Sequence, residues 1–249
     1  MIKYFFFIFL FCISNVYAYE RVHIAVSSNF IEPLDLIKKQ FLKKNKIIIT
    51  TSKGSTAKLF AQIINNAPID IFLSADQLTI KKLPDNKKIQ GSEFTYAIGK
   101  LVIFSKTKIL KQLKLEKFLG QKLSNKIVIG NPKFSPYGLA SKQVLESLGI
   151  WSLFTNKIIL ASNINQVSSF IYSGNADLGI ISNSDKLKLK KYEFGYFKEI
   201  PQNLYSSIKQ NVILLENAKN NNKAKLFFNF LKSKDTKKII ESFGYRVTD

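Results

Sequence analysis

The chain has 249 residues, 46% of them hydrophobic, and its 38 basic and 17 acidic residues give a formal net charge of +21. This length suits one large or two small domains, a single cysteine excludes a disulfide framework, and a single histidine, His23, disfavours a transition-metal site. The charge does not by itself indicate nucleic-acid binding, because Arg21 and Arg246 are the only arginines and the lysines are scattered along the chain.

Residues 1–18 have the pattern of a secretory signal peptide. Lys3 precedes an apolar run from Tyr4 to Ile13, and a short polar stretch then ends at the small residue Ala18. The apolar run is too short to cross a bilayer. We therefore predict export to the periplasm with cleavage after Ala18, and retention of the segment as an anchor is the alternative.

From residue 19 onward one unit recurs: a short run rich in β-branched residues, a small polar turn and an amphipathic helix. The runs that we predict to be strands are residues 23–26, 46–51, 67–76, 126–130, 157–161 and 176–182. The predicted helices are residues 31–41, 57–64, 139–149 and 166–174. Strands that alternate with helices predict parallel sheets with helices on both faces.

In the first two helices, the spacing of apolar residues predicts which face is buried. The predicted face of the first helix comprises Phe30, Leu34, Ile37 and Phe41. The second helix follows a predicted turn at residues 52–56, and its predicted face comprises Ala57, Phe60, Ala61 and Ile64.

Two segments, 94–105 and 203–215, interrupt the alternation of strands and helices and read as long strands. Such strands are suited to crossing between two lobes of a molecule. The C-terminal segment, 223–244, has a helical pattern, and we expect it to pack on the first lobe.

The sequence lacks the common catalytic and nucleotide-binding motifs. It has no GxxxxGK[ST] loop, no GxGxxG after the first strand and no GxSxG elbow. Four aspartates near predicted strand ends are interpreted as helix caps or partners of lysine: Asp70, Asp76, Asp177 and Asp185. We therefore predict a protein that is not an enzyme, with no cofactor and no free metal cation.

Four small polar turns lie at the predicted carboxyl ends of strands, and each precedes a helix: residues 27–29, 54–56, 136–138 and 162–164. In open α/β sheets, ligands bind beyond the carboxyl ends of the strands, and helix N-termini carry unpaired N–H donors that favour anions. Helix capping alone explains any one of these turns. Four of them in an exported chain without catalytic groups predict an oxyanion site, built from neutral donors, between two lobes.

Six segments, in this order, make the chain resemble the molybdate-binding proteins of bacterial ABC transporters: VSSNFIEPL, SKGSTAKLFAQI, APIDIFLSAD, FTYAIGKLVIFS, GNPKFSPYGLASKQVLESLG and SGNADLGIIS. The resemblance covers about residues 20–249. It implies an α/β, type II periplasmic binding protein fold, in which crossover strands join two Rossmann-like lobes. The first lobe is expected to comprise residues 19–98 and 206–249, and the second to comprise residues 99–205.

The resemblance also implies the residues that bind the ligand, which are Ser28, Asn29, Ser55, Thr56, Tyr137 and Ile164. Tyr137 is expected to offer its hydroxyl or its N–H, and Ile164 only its N–H. Some relatives have a tyrosine where this chain has Ser182, so Tyr137 is expected to supply the phenol instead. Ala57 stands where glycine or serine is common.

The implied function is capture of molybdate, and also tungstate, by a monomer that delivers the anion to a membrane permease. One alternative is a binding protein for sulfate, thiosulfate or another oxyanion, and a second is an iron carrier of similar fold. A third, of another class, is a periplasmic hydrolase or transferase on the same lobes. A fourth is a basic protein that binds nucleic acid or a surface.

Overall fold

The computed structural model describes residues 21–106, 126–154, 156–190 and 195–248, which form an α/β protein with two mixed sheets. The predicted signal peptide, residues 1–18, lies outside the described residues. Within these ranges, no helix has both the length and the apolar character that a membrane crossing needs.

Each sheet has five strands in the part of the chain that the structure describes. The strands are β1 (Arg21–Ser27), β2 (Ile48–Gly54), β3 (Ile71–Leu73), β4 (Phe94–Gly99), β5 (Leu101–Ser105), β6 (Ile127–Gly130), β7 (Ile158–Ala161), β8 (Leu178–Ser182), β9 (Tyr196–Glu199) and β10 (Ile208–Leu214). The strand order is β2-β1-β3-β10-β4 in the first sheet and β7-β6-β8-β5-β9 in the second.

The α-helices of the described residues follow the parallel strands or close the chain. They are α1 (Ile31–Leu42), α2 (Thr56–Ile64), α3 (Gln77–Lys81), α4 (Pro136–Ser147), α5 (Ile164–Tyr172), α6 (Asn183–Lys190), α7 (Asn222–Phe230) and α8 (Lys234–Ser242). The predicted C-terminal helix is two helices, because Ser233 caps a new one by accepting the Thr236 N–H at 3.2 Å.

Parallel pairing at the centre of each sheet determines where the four polar turns lie. In the first sheet β1 pairs in parallel with β2 and β3, and in the second sheet β6 pairs in parallel with β7 and β8. Antiparallel strands, β10 and β5, complete the sheets. Because parallel strands end at the same edge, the turns after β1 and β2 share one edge, and those after β6 and β7 share another.

The chain passes from one sheet to the other within the predicted long strand at 94–105. Only Lys100 separates β4, in the first sheet, from β5, in the second. The predicted strand at 203–215 is wrong in its first residues, since Gln202–Leu204 is a 3-10 turn and β10 begins only at Ile208. The lobe boundaries after residues 98 and 205 stay a prediction.

Two predictions for the first half of the chain are wrong in detail. The predicted turn at 52–56 is mostly strand, because β2 pairs with β1 as far as Ser27 and Gly54. The predicted strand at 67–76 contains only the three residues of β3.

The predicted buried face of α2 is also wrong. This helix buries Thr56, Leu59 and Ile63, whereas the prediction was Ala57, Phe60, Ala61 and Ile64. Apolar residues occupy nearly every side of α2, so periodicity alone could not select a face. Packing of Leu59 in the same cluster as Ala25 of β1 decides the orientation instead.

Hydrophobic clusters line both sheets and hold the helices in place. On one side of the first sheet, the predicted face of α1 is confirmed, since Phe30, Leu34, Ile37 and Phe41 are all buried. Phe227 of α7 and Ile240 of α8 lie in the same cluster, so the C-terminal helices pack on the first sheet as predicted.

Candidate functional site

The two polar turns of the first sheet lie against each other. Ser27 Oγ and Thr56 Oγ1 are 2.8 Å apart, which joins the end of β1 to the start of α2. Thr56 is 2% exposed, and Ser28 and Asn29 are also buried. Ser55 is only half-buried. The two turns thus form one wall of polar groups.

Hydrogen bonds join this wall to both turns of the second sheet. The bonds are Asn165 Nδ2 to Ser28 O at 2.7 Å, Ala57 N to Phe134 O at 3.3 Å, and Asn29 Nδ2 to Tyr137 Oη at 3.5 Å. All four predicted turns therefore meet in one region between the sheets. That they bind an anion stays a prediction.

The start of α2 keeps one unpaired N–H. Ser55 Oγ accepts the Lys58 N–H at 3.4 Å, and the Ala57 N–H donates to Phe134. The N–H of Thr56, the first residue of the helix, has no acceptor in the hydrogen bonds of the described residues. One backbone donor of α2 is therefore available to a ligand.

Helix α4 begins in the same way. Ser135 Oγ accepts the Gly138 N–H at 3.3 Å, and Pro136 has no N–H, so Tyr137 carries the first remaining donor of this helix. A Cβ on Gly138 would collide with the backbone of Gly130 at the end of β6. This close approach sets the position of the helix start, and the Tyr137 ring is 1% exposed.

Helix α5 repeats the pattern a third time. Asn163 Oδ1 accepts the N–H groups of Asn165 and Gln166 at 3.1 and 3.3 Å. The N–H of Ile164 has no acceptor among the described residues, and the Ile164 side chain is 1% exposed in the core. Three helix starts thus each keep one backbone N–H unpaired at the meeting point of the turns.

A buried polar network lies behind the turns, and the sequence interpretation missed most of it. Gln210 Oε1 accepts from Asn29 Nδ2 at 2.7 Å and from Tyr96 Oη at 3.1 Å, while Gln210 Nε2 donates to Tyr137 Oη at 3.1 Å. Tyr245 Oη donates to Asn29 O at 2.7 Å. Two residues from the predicted set, Asn29 and Tyr137, are therefore held by Gln210 and Tyr245, and Tyr96 in turn holds Gln210. The prediction omitted these three residues.

A signal for only one of these omitted residues was present in the sequence. Gln210 and Asn211 are adjacent amides that interrupt an apolar strand, which is unusual in a buried position. Tyr96 in a strand and Tyr245 near the C-terminus look like ordinary core aromatics. Only the fold brings their hydroxyls to the turns.

Burial keeps the phenols of the network neutral. Removal from water raises the pKa of Tyr137 well above its ordinary value and raises the pKa of Tyr245 to about 12. Both hydroxyls therefore keep their protons at physiological pH and remain hydrogen-bond donors.

The site contains dipoles and hydroxyls rather than charges. In the hydrogen bonds of the described residues, no charged side chain contacts the side chains of Asn29, Thr56 or Tyr137. Ser182, where some relatives have a tyrosine, is fully buried and donates to Asp185 Oδ2 at 2.9 Å. The described ranges hold no group of three or more His, Cys, Asp or Glu side chains that could bind a metal ion.

A cavity of about 310 Å³ adjoins the region from the α2 side. Its lining includes Thr56 and Ala57 from the first sheet's side and Phe134, Ser135 and Pro136 from the second sheet's side. The cavity therefore reaches the unpaired start of α2 from the surface.

A family model and two molybdate-binding proteins match most of this chain. A family model described as bacterial extracellular solute-binding protein matches residues 22–246. The molybdate-binding protein ModA of Azotobacter vinelandii is 36% identical over 229 residues, which cover 90% of this chain and 89% of that protein. ModA of Rhodobacter capsulatus is 34% identical over 222 residues, which cover 89% of this chain and 86% of that protein.

The structural comparison agrees with the sequence comparison. The solved structure of the Azotobacter vinelandii periplasmic molybdate-binding protein matches with a TM-score of 0.83 at 31% identity. The match covers 92% of this chain and 100% of that one. Both sheets therefore have counterparts in a single solved protein.

Proposed function

This chain belongs to the bacterial extracellular solute-binding proteins and has their two-lobed α/β fold, and we propose that it captures molybdate, and also tungstate, for an ABC transporter. In this proposal the protein works in the periplasm as a monomer and delivers the anion to a membrane permease. The observation that carries the proposal is the meeting of three helix starts, each with one unpaired N–H, where no charged side chain of the described residues hydrogen-bonds the side chains of Asn29, Thr56 or Tyr137.

The chemistry of the donors fits a small oxo-dianion. We propose that the N–H groups of Thr56, Tyr137 and Ile164 supply three donors and that the hydroxyls of Ser28, Thr56 and Tyr137, which are buried, add more. A hydrogen bond that involves a charged group contributes about 1.5–3 kcal/mol. Six such bonds are enough for a dissociation constant of about 1 μM or lower after the costs of ordering the complex.

Neutral donors also explain reversible delivery. A lysine or arginine in a desolvated pair with a dianion would carry a large desolvation penalty. Backbone N–H groups at the helix starts carry no net charge, so they do not add a charged partner that must be desolvated. In this proposal the anion is released when the lobes separate. Three interlobe hydrogen bonds, including Asn165 Nδ2 to Ser28 O, belong to the arrangement in which the turns are together.

We propose no catalytic role, resident cofactor or nucleic-acid partner. The relatives named above are binding proteins. The lysine excess has no part in the site, because neutral groups form it. Selection among dianions is proposed to depend on the size of the space between the turns. Phosphate, which keeps a proton near neutral pH, needs an acceptor for that proton, and backbone N–H groups offer none.

Titration calorimetry with molybdate, tungstate, sulfate and phosphate tests the proposal. We expect molybdate and tungstate to bind with dissociation constants of about 1 μM or lower, sulfate at least about tenfold more weakly, and phosphate not measurably. Molybdate at 100 times its dissociation constant should also stabilise the fold by about 2.7 kcal/mol. Sulfate binding as tight as molybdate binding would contradict the ligand assignment.

A further inference from the structure

The hydroxyl of Tyr137 lies beside two side-chain amide nitrogens. Gln210 Nε2 lies 3.1 Å from Tyr137 Oη, and Asn29 Nδ2 lies 3.5 Å from it. Amide nitrogens donate and do not accept. The phenol oxygen is therefore the acceptor of the Gln210 contact, and its own proton must point elsewhere. The two protons of Asn29 Nδ2 go to its shorter contacts, Gln210 Oε1 at 2.7 Å and Tyr245 Oη at 3.1 Å.

A carbonyl group determines the orientation of both amides. The backbone carbonyl oxygen of Asn29 can only accept a hydrogen bond, so Tyr245 Oη, 2.7 Å away, must be the donor. Tyr245 Oη then accepts from the Asn29 side chain at 3.1 Å, which identifies the nearby atom as Nδ2. The Gln210 atom 2.7 Å from Nδ2 must accept, so it is Oε1, and Nε2 is left to face Tyr137.

The backbone is shaped to place Gln210 in this position. The pairing of β10 with β4 shifts register between Gln210 and Asn211, and bulges of this kind redirect side chains. Gln210 is fully buried. On β4, a Cβ at Gly99 would collide with Tyr137 Oη and would crowd Gln210 Nε2, so only glycine leaves room for the contact.

The Tyr137 proton then has two directions available to it. One is the phenol oxygen of Tyr245, which interacts with Tyr137 and already accepts a proton from Asn29. The other is the anion that we propose to lie between the turns. An anionic oxygen is a stronger acceptor than a neutral phenol that already receives a hydrogen bond, so the proton turns toward the ligand.

We propose that Gln210 is a positioning residue that makes Tyr137 an obligatory donor to the bound anion and so helps the protein reject oxyanions that carry a proton. This inference rests on the proposed function and assigns a specificity role to a residue outside the set of direct ligands. A hydroxyl that can also accept would tolerate a protonated oxyanion. A phenol oxygen that already accepts from Gln210 Nε2 is a poorer acceptor for the proton of such an oxyanion.

A double-mutant cycle measured by calorimetry tests the role. Gln210→Met keeps the length of the side chain and removes its donor and acceptor. We expect it to weaken molybdate binding about tenfold and to make phosphate binding measurable, which it is not expected to be in the wild-type protein. In a Tyr137→Phe background, the same change should alter molybdate affinity less than about twofold, because the hydroxyl that Gln210 directs is gone.

The matched control is Asn211→Leu, which removes the neighbouring amide of the bulge. Asn211 Oδ1 accepts from Thr95 Oγ1 at 2.8 Å and makes no hydrogen bond to Tyr137. This variant should keep the wild-type molybdate affinity and bind no measurable phosphate. An equal loss from Gln210→Met in both backgrounds would show that Gln210 acts through packing or through Asn29 alone, and it would overturn the inference.

Neutron diffraction from the wild-type protein with molybdate gives a second answer that needs no variant to fold. We expect a deuteron on Tyr137 Oη directed at an oxygen of the anion. A deuteron directed at Gln210 or Tyr245 would overturn the inference while leaving molybdate binding intact. If the wild-type protein bound no molybdate in calorimetry, the proposed function itself would fail, which is a separate result.

Discussion

The two ends of the first sheet carry similar polar residues but differ in how their hydrogen bonds are satisfied. At the amino end of β1, Asp70 accepts the His23 N–H at 2.7 Å and an Asn217 amide proton at 2.8 Å, while His23 Nε2 lies 2.9 Å from Ser52 Oγ. At the carboxyl end, the Thr56 N–H has no acceptor among the described residues. The polar groups named at the amino end are satisfied within the protein, whereas the carboxyl end keeps a donor that we propose a ligand satisfies.

This difference shows which features identify a binding site. A cavity of about 370 Å³ adjoins the amino end, so concavity does not separate the two ends. Serine, histidine and aspartate lie close together there, yet Asp70 bonds the backbone of His23 instead of its ring, so the arrangement is not a catalytic triad. Unpaired donors, rather than residue types or concavity, distinguish the carboxyl end.

The largest expected effect comes from Gly138→Ala. The new Cβ would meet the backbone of Gly130, so the start of α4 must move. We expect the free energy of unfolding to fall by about 3 kcal/mol and molybdate binding to be lost. Urea unfolding and calorimetry measure the two effects.

Gly54→Ala is the control for that variant, because it lies at another of the four turns. A Cβ at Gly54 would make only ordinary contacts with Lys58 and Leu59. This substitution should leave the affinity within about threefold of wild type. Equal damage from both glycine changes would mean that the turns tolerate no side chain at all, and the close approach at Gly138 would explain nothing.

Removal of one hydroxyl at each end of β2 tests the comparison directly. Thr56→Val should weaken molybdate binding by about tenfold or more, because a hydrogen bond to a charged group is lost. Thr50→Val removes a hydroxyl that contacts only Val22 O, at 3.5 Å, and it should not change the affinity. Calorimetry measures the molybdate affinity of both variants. Equal losses of affinity from the two substitutions would contradict the proposed difference between the two ends of the sheet.

A smaller effect on affinity is expected at Ile164. The side chain lies in the core and only its N–H faces the turns, so Ile164→Ala should change molybdate affinity less than about threefold. The same variant should lower the free energy of unfolding by about 2–5 kcal/mol. Thermal unfolding with and without molybdate separates the two quantities, and a large loss of affinity would contradict the backbone role.

The smallest effect is expected from pH. Burial raises the pKa of Tyr245 to about 12 and that of Tyr137 well above its ordinary value, so neither phenol changes its charge between pH 6 and pH 9. Because the folded-state pKa of Tyr245 is raised from 10.0, its contribution to stability is present below pH 10 and is lost as the pH rises toward 12.

Molybdate affinity should accordingly be flat across pH 6–9, and stability should begin to fall only above pH 10. Calorimetry and urea unfolding at several pH values measure both. A fall in molybdate affinity between pH 6 and pH 9 would indicate a titrating group at the site. It would contradict the proposal that neutral donors bind the anion.

Much of this molecule follows from local sequence. The face of α1, the strands β1 and β6, and the capping side chains Ser55, Ser135 and Asn163 are fixed by residues close together in the chain. Caps and apolar periodicity act over a few residues, so the sequence determined that four helices begin after polar turns at strand ends.

The tertiary structure determined which N–H groups at the helix starts remained unpaired and which side chains pack behind the turns. The face of α2 depends on its contact with the first sheet, and the unpaired N–H groups depend on how distant turns meet. Long-range contacts of the fold bring Gln210 to Asn29 and Tyr137, Tyr245 to Asn29, and Tyr96 to Gln210. Hydrogen-bond satisfaction is a property of the whole fold, because the partner of each group can come from any part of the chain.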